Sequence, residues 1–397
     1  MDPVRNPYSP GAGNPPPALV GRDAELAGFD VSVQRLTIGR SAKSQLLTGL
    51  RGVGKTVLLR EFSRTARSHG WVHEHLEATE DLVFVEAIAA QVRKALLRLR
   101  VRDRVRDRAR RALGALSAFK VRYQVPDTGS DVTLEIDPIQ GRTDTGVLDD
   151  DLAELFIAVG EVARGDEIGV LITLDEMQYL SRQNLGALIV ALHRVSQEQL
   201  PLMVAGAGLP SLPGLAGEAK SYAERLFDFP VIDSLSPTDA ALALRQPAEE
   251  EGVTWAADAL DRVVGLTSGY PYFLQEFGKQ SWDVADGPDT ITVADVEASL
   301  PIATAELDTG FFRARLDRTN ETERSYLRAM AGLGPGPYPS GEIAAALGKK
   351  TTQVGPVRDQ LVRRGLVYSP RWGRLAFTVP MFDQYVARTL GPLGHDL

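Results

Sequence analysis

Hydrophobic positions along this chain form two kinds of segment. Short apolar runs typical of buried strands occur at Lys43–Gly49, Trp71–Leu76, Val170–Leu174, Leu202–Gly206 and Phe227–Ile232. Longer segments with helical spacing lie between several of these runs, at Leu82–Leu99, Leu148–Ala163 and Leu185–Gln199. Strands that alternate with helices predict an α/β fold, in which a parallel sheet is covered by helices on both faces.

One segment departs from this alternation. Two stretches of alternating apolar and polar residues flank a turn at Pro126–Gly129, with apolar positions at Phe119, Val121, Tyr123, Val132, Leu134 and Ile136. This pattern predicts a β-hairpin inserted near residues 119–136. The arginine-rich stretch before it, residues 98–111, is expected to form a solvated helix face, and contact with phosphates remains the alternative.

Three further regions are separated by their patterns. Residues 1–18 are rich in proline and predict an extended arm, because proline fixes φ and donates no backbone hydrogen bond. Residues 19–234 contain the strand–helix alternation and predict a base domain. Residues 235–305 predict a small helical domain. Its helical patterns lie at Thr238–Gln246, Ala256–Leu266, Pro271–Val284 and Val293–Leu300.

Residues 318–397 follow a different order. Helical patterns at Glu321–Leu333 and Gly341–Leu347 and a third one ending at Gly365 precede two β-like runs, at Leu366–Tyr368 and Leu375–Val379. Three helices followed by a two-stranded ribbon predict a winged helix-turn-helix. We expect Pro356 near the start of the third helix, since proline inside a helix removes a backbone hydrogen bond.

Composition narrows the class of protein. Of 397 residues, 44% are apolar and 24% are charged, which excludes wholesale disorder. No apolar run approaches the 18 residues of a membrane span, and the N-terminus lacks the apolar stretch of a signal peptide, so we expect a cytoplasmic protein without membrane contact. The absence of cysteine excludes disulfides, thiolate zinc sites and a cysteine nucleophile.

Charge is distributed unevenly along the chain. The overall net charge is −8, yet residues 318–397 contain eleven basic and six acidic residues, a net charge of +5 that leaves −13 for residues 1–317. An acidic total therefore does not exclude contact between the C-terminal region and nucleic acid.

The strongest chemical motif follows the first predicted strand. Residues 49–56 read Gly-Leu-Arg-Gly-Val-Gly-Lys-Thr, a full match to the phosphate-loop pattern. Its glycines allow a tight turn that directs backbone N–H groups at phosphate oxygens, and the helix that follows adds the positive end of its dipole. Lys55 would contact the β- and γ-phosphates, and Thr56 would offer a hydroxyl oxygen to Mg²⁺. The candidate nucleotide contacts in this stretch are Gly49, Arg51, Gly52, Val53, Gly54, Lys55, Thr56 and Val57.

A pair of carboxylates ends the predicted strand Val170–Leu174. Asp175 and Glu176 would be costly there unless a cation or substrate compensated their charge. Asp175 is therefore predicted to bind Mg²⁺, directly or through water. Glu176 is predicted to polarise the water that attacks the γ-phosphate.

The phosphate loop, Asp175-Glu176, the upstream segment Leu19–Leu26, the helical domain and the C-terminal winged helix resemble the AAA+ ATPases. Within that family the chain is most similar to bacterial and archaeal ATPases related to origin-recognition initiators, and to the STAND signalling ATPases. The resemblance covers nearly the whole chain from about Pro15. It implies a P-loop NTPase fold with a helical lid at 235–305, and ATP with Mg²⁺ as cofactors.

The resemblance also implies further site residues. Val20 and Gly21 match the segment that lies against the adenine, and Arg22 opens the first helix. Arg225 stands where the family places an arginine finger that reaches the γ-phosphate of a neighbouring subunit, which implies a homo-oligomer. An ordinary surface arginine is the alternative for Arg225.

Two departures from the family pattern favour slow turnover. The fourth strand of many relatives ends in a polar side chain that senses the γ-phosphate, whereas Val204–Gly208 offers no side-chain donor. The lid carries Gly269-Tyr270-Pro271 where initiators often have an arginine-bearing motif. This form is similar to the STAND lid, in which the proline region packs near the nucleotide, so Pro271 is a candidate nucleotide contact.

The C-terminal region carries the candidate DNA contacts. Basic residues cluster on or beside the predicted recognition helix and at the predicted wing tip, where they would grip major-groove edges and phosphates. These residues are Lys349, Lys350, Arg358, Arg363, Arg364, Arg371 and Arg374. A protein-docking winged helix remains the alternative.

The leading hypothesis is a slow Mg-ATP-dependent switch, with Lys55, Glu176 and Arg225 in catalysis, that controls binding of duplex DNA. The rival hypotheses are a STAND-like signalling or defence ATPase whose winged helix docks protein, and an ATP-dependent scaffold without meaningful turnover.

Overall fold

The computed structural model describes residues 1–11, 13–99, 106–123, 148–334 and 336–391. Its contacts divide the chain into two compact units. The first contains residues 23–48 and 58–231, and the second contains residues 1–22, 49–57 and those from 232 onward. The sequence did not predict that the phosphate loop would group with the two ends of the chain.

The first unit is built on a five-stranded sheet within the described residues, in the order β2-β3-β4-β1-β5. All of its strand pairs are parallel. The strands are β1 Ser44–Thr48, β2 Val72–Glu77, β3 Val170–Asp175, β4 Leu202–Gly208 and β5 Phe227–Asp228. The predicted α/β fold with a parallel sheet is therefore confirmed, and each predicted strand lies within or beside an observed one.

Helices cover this sheet because its central strands carry mainly apolar side chains. Every residue of β1, β3 and β4 is buried. The helices of this unit, including the one that enters it from the phosphate loop, are α1 Asp23–Thr37, α2 Lys55–Ser68, α3 Phe84–Arg98, α4 Arg106–Arg122, α5 Leu148–Asp166, α6 Arg182–Gln197, α7 Leu212–Ala219 and α8 Ala223–Leu226. Ile172 and Val204 belong to the core formed with α3 to α7, and Phe29 of α1 stacks on Phe62 of α2 with ring centroids 4.1 Å apart.

The first half of the predicted β-hairpin is wrong. Phe119 and Val121 lie in the helix α4, which ends at Arg122, and the remainder of the hairpin lies outside the described residues. Ala112, Ala115 and Phe119 are buried at helical spacing against neighbouring helices. That longer helical period outweighs a two-residue alternation that covers only five positions.

The N-terminal arm and four helices form one part of the second unit. The helices are α9 Pro237–Glu250, α10 Ala257–Thr267, α11 Pro271–Val284 and α12 Val293–Glu306, with a small parallel pair of strands, β6 Thr254–Trp255 and β7 Thr290–Ile291. These helices begin and end close to the predicted positions. The arm is extended apart from one 3-10 turn at Pro3–Arg5, and Tyr8 inserts into the helices, with 3% of its surface exposed.

The remaining elements follow a π-helical turn at Leu307–Phe312. They are α13 Arg313–Leu316, α14 Glu321–Gly332, β8 Tyr338–Pro339, α15 Ser340–Ala346, α16 Thr351–Arg363, β9 Val367–Tyr368, β10 Arg374–Phe377 and α17 Phe382–Leu390. The three strands form an antiparallel sheet in the order β8-β10-β9. The predicted order of three helices and two strands is present, with β8 and α17 as additions.

Pro356 lies in the second turn of α16 and not at its start, so that expectation was wrong. The carbonyl that loses its helical partner belongs to Thr352, which is exposed. Water can hydrate such a carbonyl, and this lowers the cost of a proline inside a helix.

Candidate functional site

The phosphate loop adopts a backbone that only glycine tolerates well. Gly52 and Gly54 have φ values of +84° and +97°, in the region that disfavours side chains. A Cβ atom at Gly49 would lie 2.1 Å from the carbonyl oxygen of Ile232. The glycines therefore shape the turn, as the sequence predicted, while Val53 and Val57 are buried and anchor it.

Lys55 stands at the first residue of α2 and is 9% exposed. Its ammonium group donates to the carbonyl oxygens of Gly49 and Leu50 at 2.9 and 2.7 Å. Lys55 thus closes the loop on itself. An incoming phosphate would have to offer the ammonium group at least as good a set of acceptors as these two carbonyls.

Arg22 contacts the backbone of the phosphate loop, a role that the sequence did not reveal. It is 9% exposed and donates to the carbonyl oxygens of Val53, at 3.3 Å, and Asp233. The sequence had placed Arg22 only at the start of the first helix, which begins at Asp23. The only signal in the sequence was an arginine at the predicted start of a helix. The carbonyls of Val53 and Asp233 that it contacts lie far away in the sequence.

The segment predicted to contact adenine lies beside α9. Gly21 has a φ of +66°, and a Cβ atom there would lie 2.9 Å from the Asp239 carboxylate. Val20 is half-buried. This close approach explains the need for glycine at position 21, and the assignment of Val20 and Gly21 to the nucleobase stays a prediction.

The Gly269-Tyr270-Pro271 turn packs directly on the phosphate loop. A Cβ atom at Gly269 would lie 2.3 Å from the carbonyl oxygen of Leu235, and a Cβ atom at Gly52 would lie 2.8 Å from the Tyr270 hydroxyl. Pro271 is the first residue of α11 and is half-buried. The residue of this turn that lies against Gly52 is Tyr270.

Asp175 and Glu176 lie at the carboxyl end of β3, as predicted. The Asp175 side chain is 4% exposed, and it accepts a hydrogen bond from the backbone N–H of Glu176 at 2.8 Å. Glu176 has a φ of +53°. A non-glycine residue rarely adopts this conformation outside functional or strongly constrained positions. Since β1 and β3 are parallel members of one sheet, Asp175 shares an edge with Thr48, the residue before the phosphate loop.

Gln178 completes the carboxylate site and was missed by the sequence reasoning. Its amide nitrogen donates to the Glu176 carboxylate, and its amide oxygen accepts from the backbone N–H of Leu209 at 3.1 Å. Leu209 follows β4, whose last residues offer no side-chain donor. Gln178 therefore brings an amide to the end of β4, where the sequence showed none.

Arg225 lies on α8, immediately before β5, and is exposed. Within the described part of the chain its guanidinium has no hydrogen-bond or ion-pair partner. Its exposure is compatible with contact to another molecule, and its role as an arginine finger stays a prediction.

The basic residues of the C-terminal region differ in how exposed they are. Lys349, Lys350, Arg363 and Arg371 are exposed. Arg358 pairs with the adjacent Asp359 at 2.8 Å, Arg364 pairs with the buried Glu323 at 3.1 Å, and Arg374 donates to the carbonyl oxygen of Pro337 at 3.0 Å. Arg364 is thus a structural residue. Trp372, between β9 and β10, is 99% exposed.

Other candidate chemistry is weaker. His73 and His75 hydrogen-bond the Thr173 hydroxyl, each at 2.9 Å, within the sheet. Among the described residues, no group of three or more potential ligands could hold a metal ion on its own. No helix in the described ranges is long and apolar enough to cross a membrane.

Comparisons with known proteins agree with this architecture. Residues 18–205 match the family model of the AAA ATPase domain, and residues 309–386 match a domain of unknown function. No curated protein sequence matches the chain.

Solved structures share the fold at low sequence identity. The chain is similar to the Walker-type ATPase PABY2304 of Pyrococcus abyssi, with a TM-score of 0.57 and 16% identity over 93% of this chain and 96% of that one. The chain also matches the Orc1 protein of Aeropyrum pernix in complex with DNA, with a TM-score of 0.47 and 16% identity over 97% of this chain and 96% of that one. It matches Cdc6p of Pyrobaculum aerophilum with a TM-score of 0.49 and 15% identity over 98% of this chain and 97% of that one. The P-loop AAA+ fold class predicted from the sequence is confirmed.

Proposed function

We propose that this protein is a Mg-ATP-dependent ATPase with slow turnover, whose nucleotide state controls the binding of duplex DNA by a C-terminal winged helix. The observation that carries the proposal is the phosphate loop itself. Two glycines at positive φ, a buried lysine and the first turn of the 14-residue helix α2 meet at one turn, an arrangement suited to a nucleotide's phosphates.

Different residues of the chain would bind the phosphates, bind Mg²⁺ and activate water. Lys55 and the loop N–H groups bind the phosphates, and Arg22 keeps the loop in shape from behind. Thr56 and Asp175 carry the oxygen ligands that Mg²⁺ prefers, and the ion would offset the negative charge of the phosphates. Glu176 orients the attacking water and accepts its proton.

Slow turnover fits the surroundings of Glu176. Its carboxylate already accepts a hydrogen bond from Gln178, so it must rearrange or share that contact in order to activate water. The end of β4 lacks the γ-phosphate sensor of many relatives. Both features favour a long-lived ATP-bound state over rapid cycling, which is the behaviour expected of a switch.

An aromatic cluster supports coupling between the lid and the C-terminal region. Phe311 stacks on Tyr272 of α11 with ring centroids 4.4 Å apart, and Phe312 stacks on Tyr385 of α17 at 5.3 Å. Phe311 and Phe312 are consecutive residues of the π-helical turn. A shift of α11 caused by nucleotide would therefore reach α17 through two adjacent rings.

The proposed DNA surface comprises the exposed Lys349, Lys350, Arg363 and Arg371, in the part of the chain that carries net positive charge. Cationic side chains free of internal ion pairs can exchange contacts with water for contacts with DNA phosphates. The exposed Trp372 supports a second candidate, a protein-docking winged helix in a signalling ATPase, because exposed tryptophan is common at protein interfaces.

Nucleotide chemistry is tested with two variants and a fluorescent ATP analogue. Lys55→Ala should abolish binding, whereas Glu176→Gln should retain affinity and lose phosphate release. Wild-type affinity in Lys55→Ala would defeat the assignment of the phosphate loop. Unchanged turnover in Glu176→Gln would remove Glu176 from its proposed role.

DNA binding is tested by titrating a labelled duplex at two salt concentrations, with ATP or ADP present. The double variant Lys349→Glu/Lys350→Glu should weaken binding at least tenfold and reduce its salt dependence. The matched control Arg40→Glu/Lys43→Glu makes the same change in net charge at two exposed positions of the first unit and should bind like wild type. If neither nucleotide state binds duplex, the docking alternative is preferred.

A further inference from the structure

The Tyr270 hydroxyl is a buried polar group aimed at the phosphate loop. Tyr270 is 1% exposed, and its hydroxyl and ring lie within 3.1 Å of where a Cβ atom of Gly52 would be. Within the described part of the chain this hydroxyl has no hydrogen-bond partner. Buried hydroxyl groups are rarely left unpaired, so this one needs a specific explanation.

Arg315 lies close to Tyr270 although it comes from α13, beyond the lid. Its guanidinium carbon lies 3.7 Å from the centre of the Phe311 ring, and its side chain donates to the carbonyl oxygen of Phe311. The Nε atom of Arg315 is buried without a hydrogen-bond partner among the described residues. Arg315 of α13 therefore has a guanidinium with one buried hydrogen-bond donor, Nε, left without a partner among the described residues.

Arg51 of the phosphate loop carries a second positive charge that acts on Arg315. Burial, followed by repulsion from Arg51, lowers the pKa of Arg315 to about 10, so the residue stays charged at neutral pH. Burial raises the pKa of Tyr270, and the positive charges of Arg315 and Arg51 oppose that rise. The Arg315 guanidinium and the Tyr270 hydroxyl, each with a buried polar atom that has no partner among the described residues, favour an anion as the missing partner.

We propose that Arg315 and Tyr270 contact the phosphates of a nucleotide bound at the phosphate loop. Arg315 would donate charge-assisted hydrogen bonds to phosphate oxygens, and the Tyr270 hydroxyl would donate one more. This inference rests on the proposed function, since it requires that the loop binds nucleotide. It adds two binding residues that no local motif contains, one of them on the segment that joins the lid to the C-terminal region.

The proposal also accounts for how α13 could respond to nucleotide. Arg315 and Phe311 are linked by a hydrogen bond and a cation–π contact, and Phe311 belongs to the aromatic cluster described above. Binding of phosphate by Arg315 would therefore stabilise one arrangement of the π-helical turn. The contact places a nucleotide-dependent restraint directly on the connection to the C-terminal elements.

The test measures Kd for ATP and ADP by titration, together with the rise in melting temperature that each nucleotide causes. Arg315→Gln should raise both Kd values at least tenfold, about 1.4 kcal/mol, and shrink the nucleotide-induced rise. Without nucleotide its melting temperature should stay close to that of wild type, because the loss of repulsion from Arg51 offsets the loss of the contacts with Phe311. Arg315→Lys should recover part of the affinity.

Matched controls separate this role from a structural one. Arg313→Gln removes a neighbouring exposed arginine paired with Asp317 at 3.6 Å and should leave both Kd values unchanged. Tyr270→Phe should weaken nucleotide binding severalfold, whereas Tyr272→Phe should not. A melting temperature for Arg315→Gln that falls without nucleotide, with an unaltered nucleotide-induced rise, would assign Arg315 to structure alone and overturn the proposal.

The outcomes for wild type and Lys55→Ala distinguish this inference from the proposed function. If wild type binds neither nucleotide, both fail. If wild type binds, Lys55→Ala does not, and Arg315→Gln keeps wild-type Kd values, the phosphate loop is functional and only the present inference is wrong.

Discussion

Tyr8 offers a direct test of whether the N-terminal arm is part of the folded second unit. Its hydroxyl donates to the carbonyl oxygen of Leu244 and accepts from the Trp255 indole N–H at 2.8 Å. Its ring packs edge-on against Trp255 and Trp282, with centroid separations of 6.3 and 6.5 Å. Gly278 of α11 gives the ring room, since a Cβ atom there would lie 2.9 Å from it.

The magnitude follows from these contacts. Tyr8→Phe keeps the ring but leaves the Trp255 N–H buried without a partner, which costs about 1–3 kcal/mol. Tyr8→Ala also creates a cavity and should lower the free energy of unfolding by about 3–5 kcal/mol. For a unit of this size, about 2 kcal/mol corresponds to a drop of about 4–8 °C in melting temperature.

Tryptophan fluorescence during thermal or urea unfolding is the appropriate assay, because two of the four tryptophans contact Tyr8. Val4→Ala is the control, since Val4 is 90% exposed on the same arm, and it should unfold like wild type. If Tyr8→Phe and Tyr8→Ala both unfold within about 0.5 kcal/mol of wild type, the arm does not contribute to the stability of the lid and the reasoning is refuted.

Three further predictions concern other parts of the chain. Burial lowers the pKa of His73 from 6.5 to about 4. The fold is therefore fully stable with respect to His73 above pH 6.5, and about 2 kcal/mol of stability, after allowance for partial exposure, is lost as the pH falls toward 4. His73→Gln should flatten this part of the stability–pH curve, and an unchanged curve would contradict the prediction. Gln178→Ala should raise phosphate release severalfold with ATP affinity intact, because Glu176 no longer has to give up the hydrogen bond from Gln178 before it activates water. Unchanged or lower turnover would argue against this role. Phe312→Leu should preserve nucleotide affinity but remove the difference in DNA affinity between the ATP and ADP states, and a retained difference would show that coupling does not pass through this ring.

Local rules made the phosphate loop and the sheet predictable. Residues within a few positions determine the conformations of Gly52 and Gly54 and the start of α2. The short phosphate-loop motif contains these residues, so it predicts the local structure. The strands β1, β3 and β4 are buried on both faces, and apolar residues dominate β3, β4 and the centre of β1. Only β5 is much shorter than predicted, ending at Asp228.

Contacts between distant residues were not predictable in the same way. Tyr8 and Leu244 are separated by 236 positions, and Arg22 and Asp233 by 211. No periodicity near either residue indicates its partner. The composition of the arm predicts an extended chain, but whether such a chain docks depends on cavities made elsewhere, such as the space beside Gly278.

The same distinction applies to the candidate site. Asp175, Glu176 and Lys55 could be picked out because their predicted roles require particular residue types at the end of β3 and in the loop after β1. Gln178 and Tyr270 could not, because glutamine and tyrosine serve many structural purposes and their meaning comes from what they contact. Local sequence thus identifies the candidate phosphate contacts, while tertiary contacts point to further candidates.

The grouping of the phosphate loop favours a switch over a simple hydrolytic enzyme. Residues 49–57 belong to the same compact unit as the lid, and their contacts include Arg22 with Val53 and Tyr270 with Gly52. A change in the loop's carbonyl contacts when phosphate replaces them on Lys55 would therefore act on groups within its own packed unit. Because such interiors are close-packed and resist small continuous shifts, that change would bias the lid between discrete arrangements. Slow hydrolysis would then set how long one arrangement lasts.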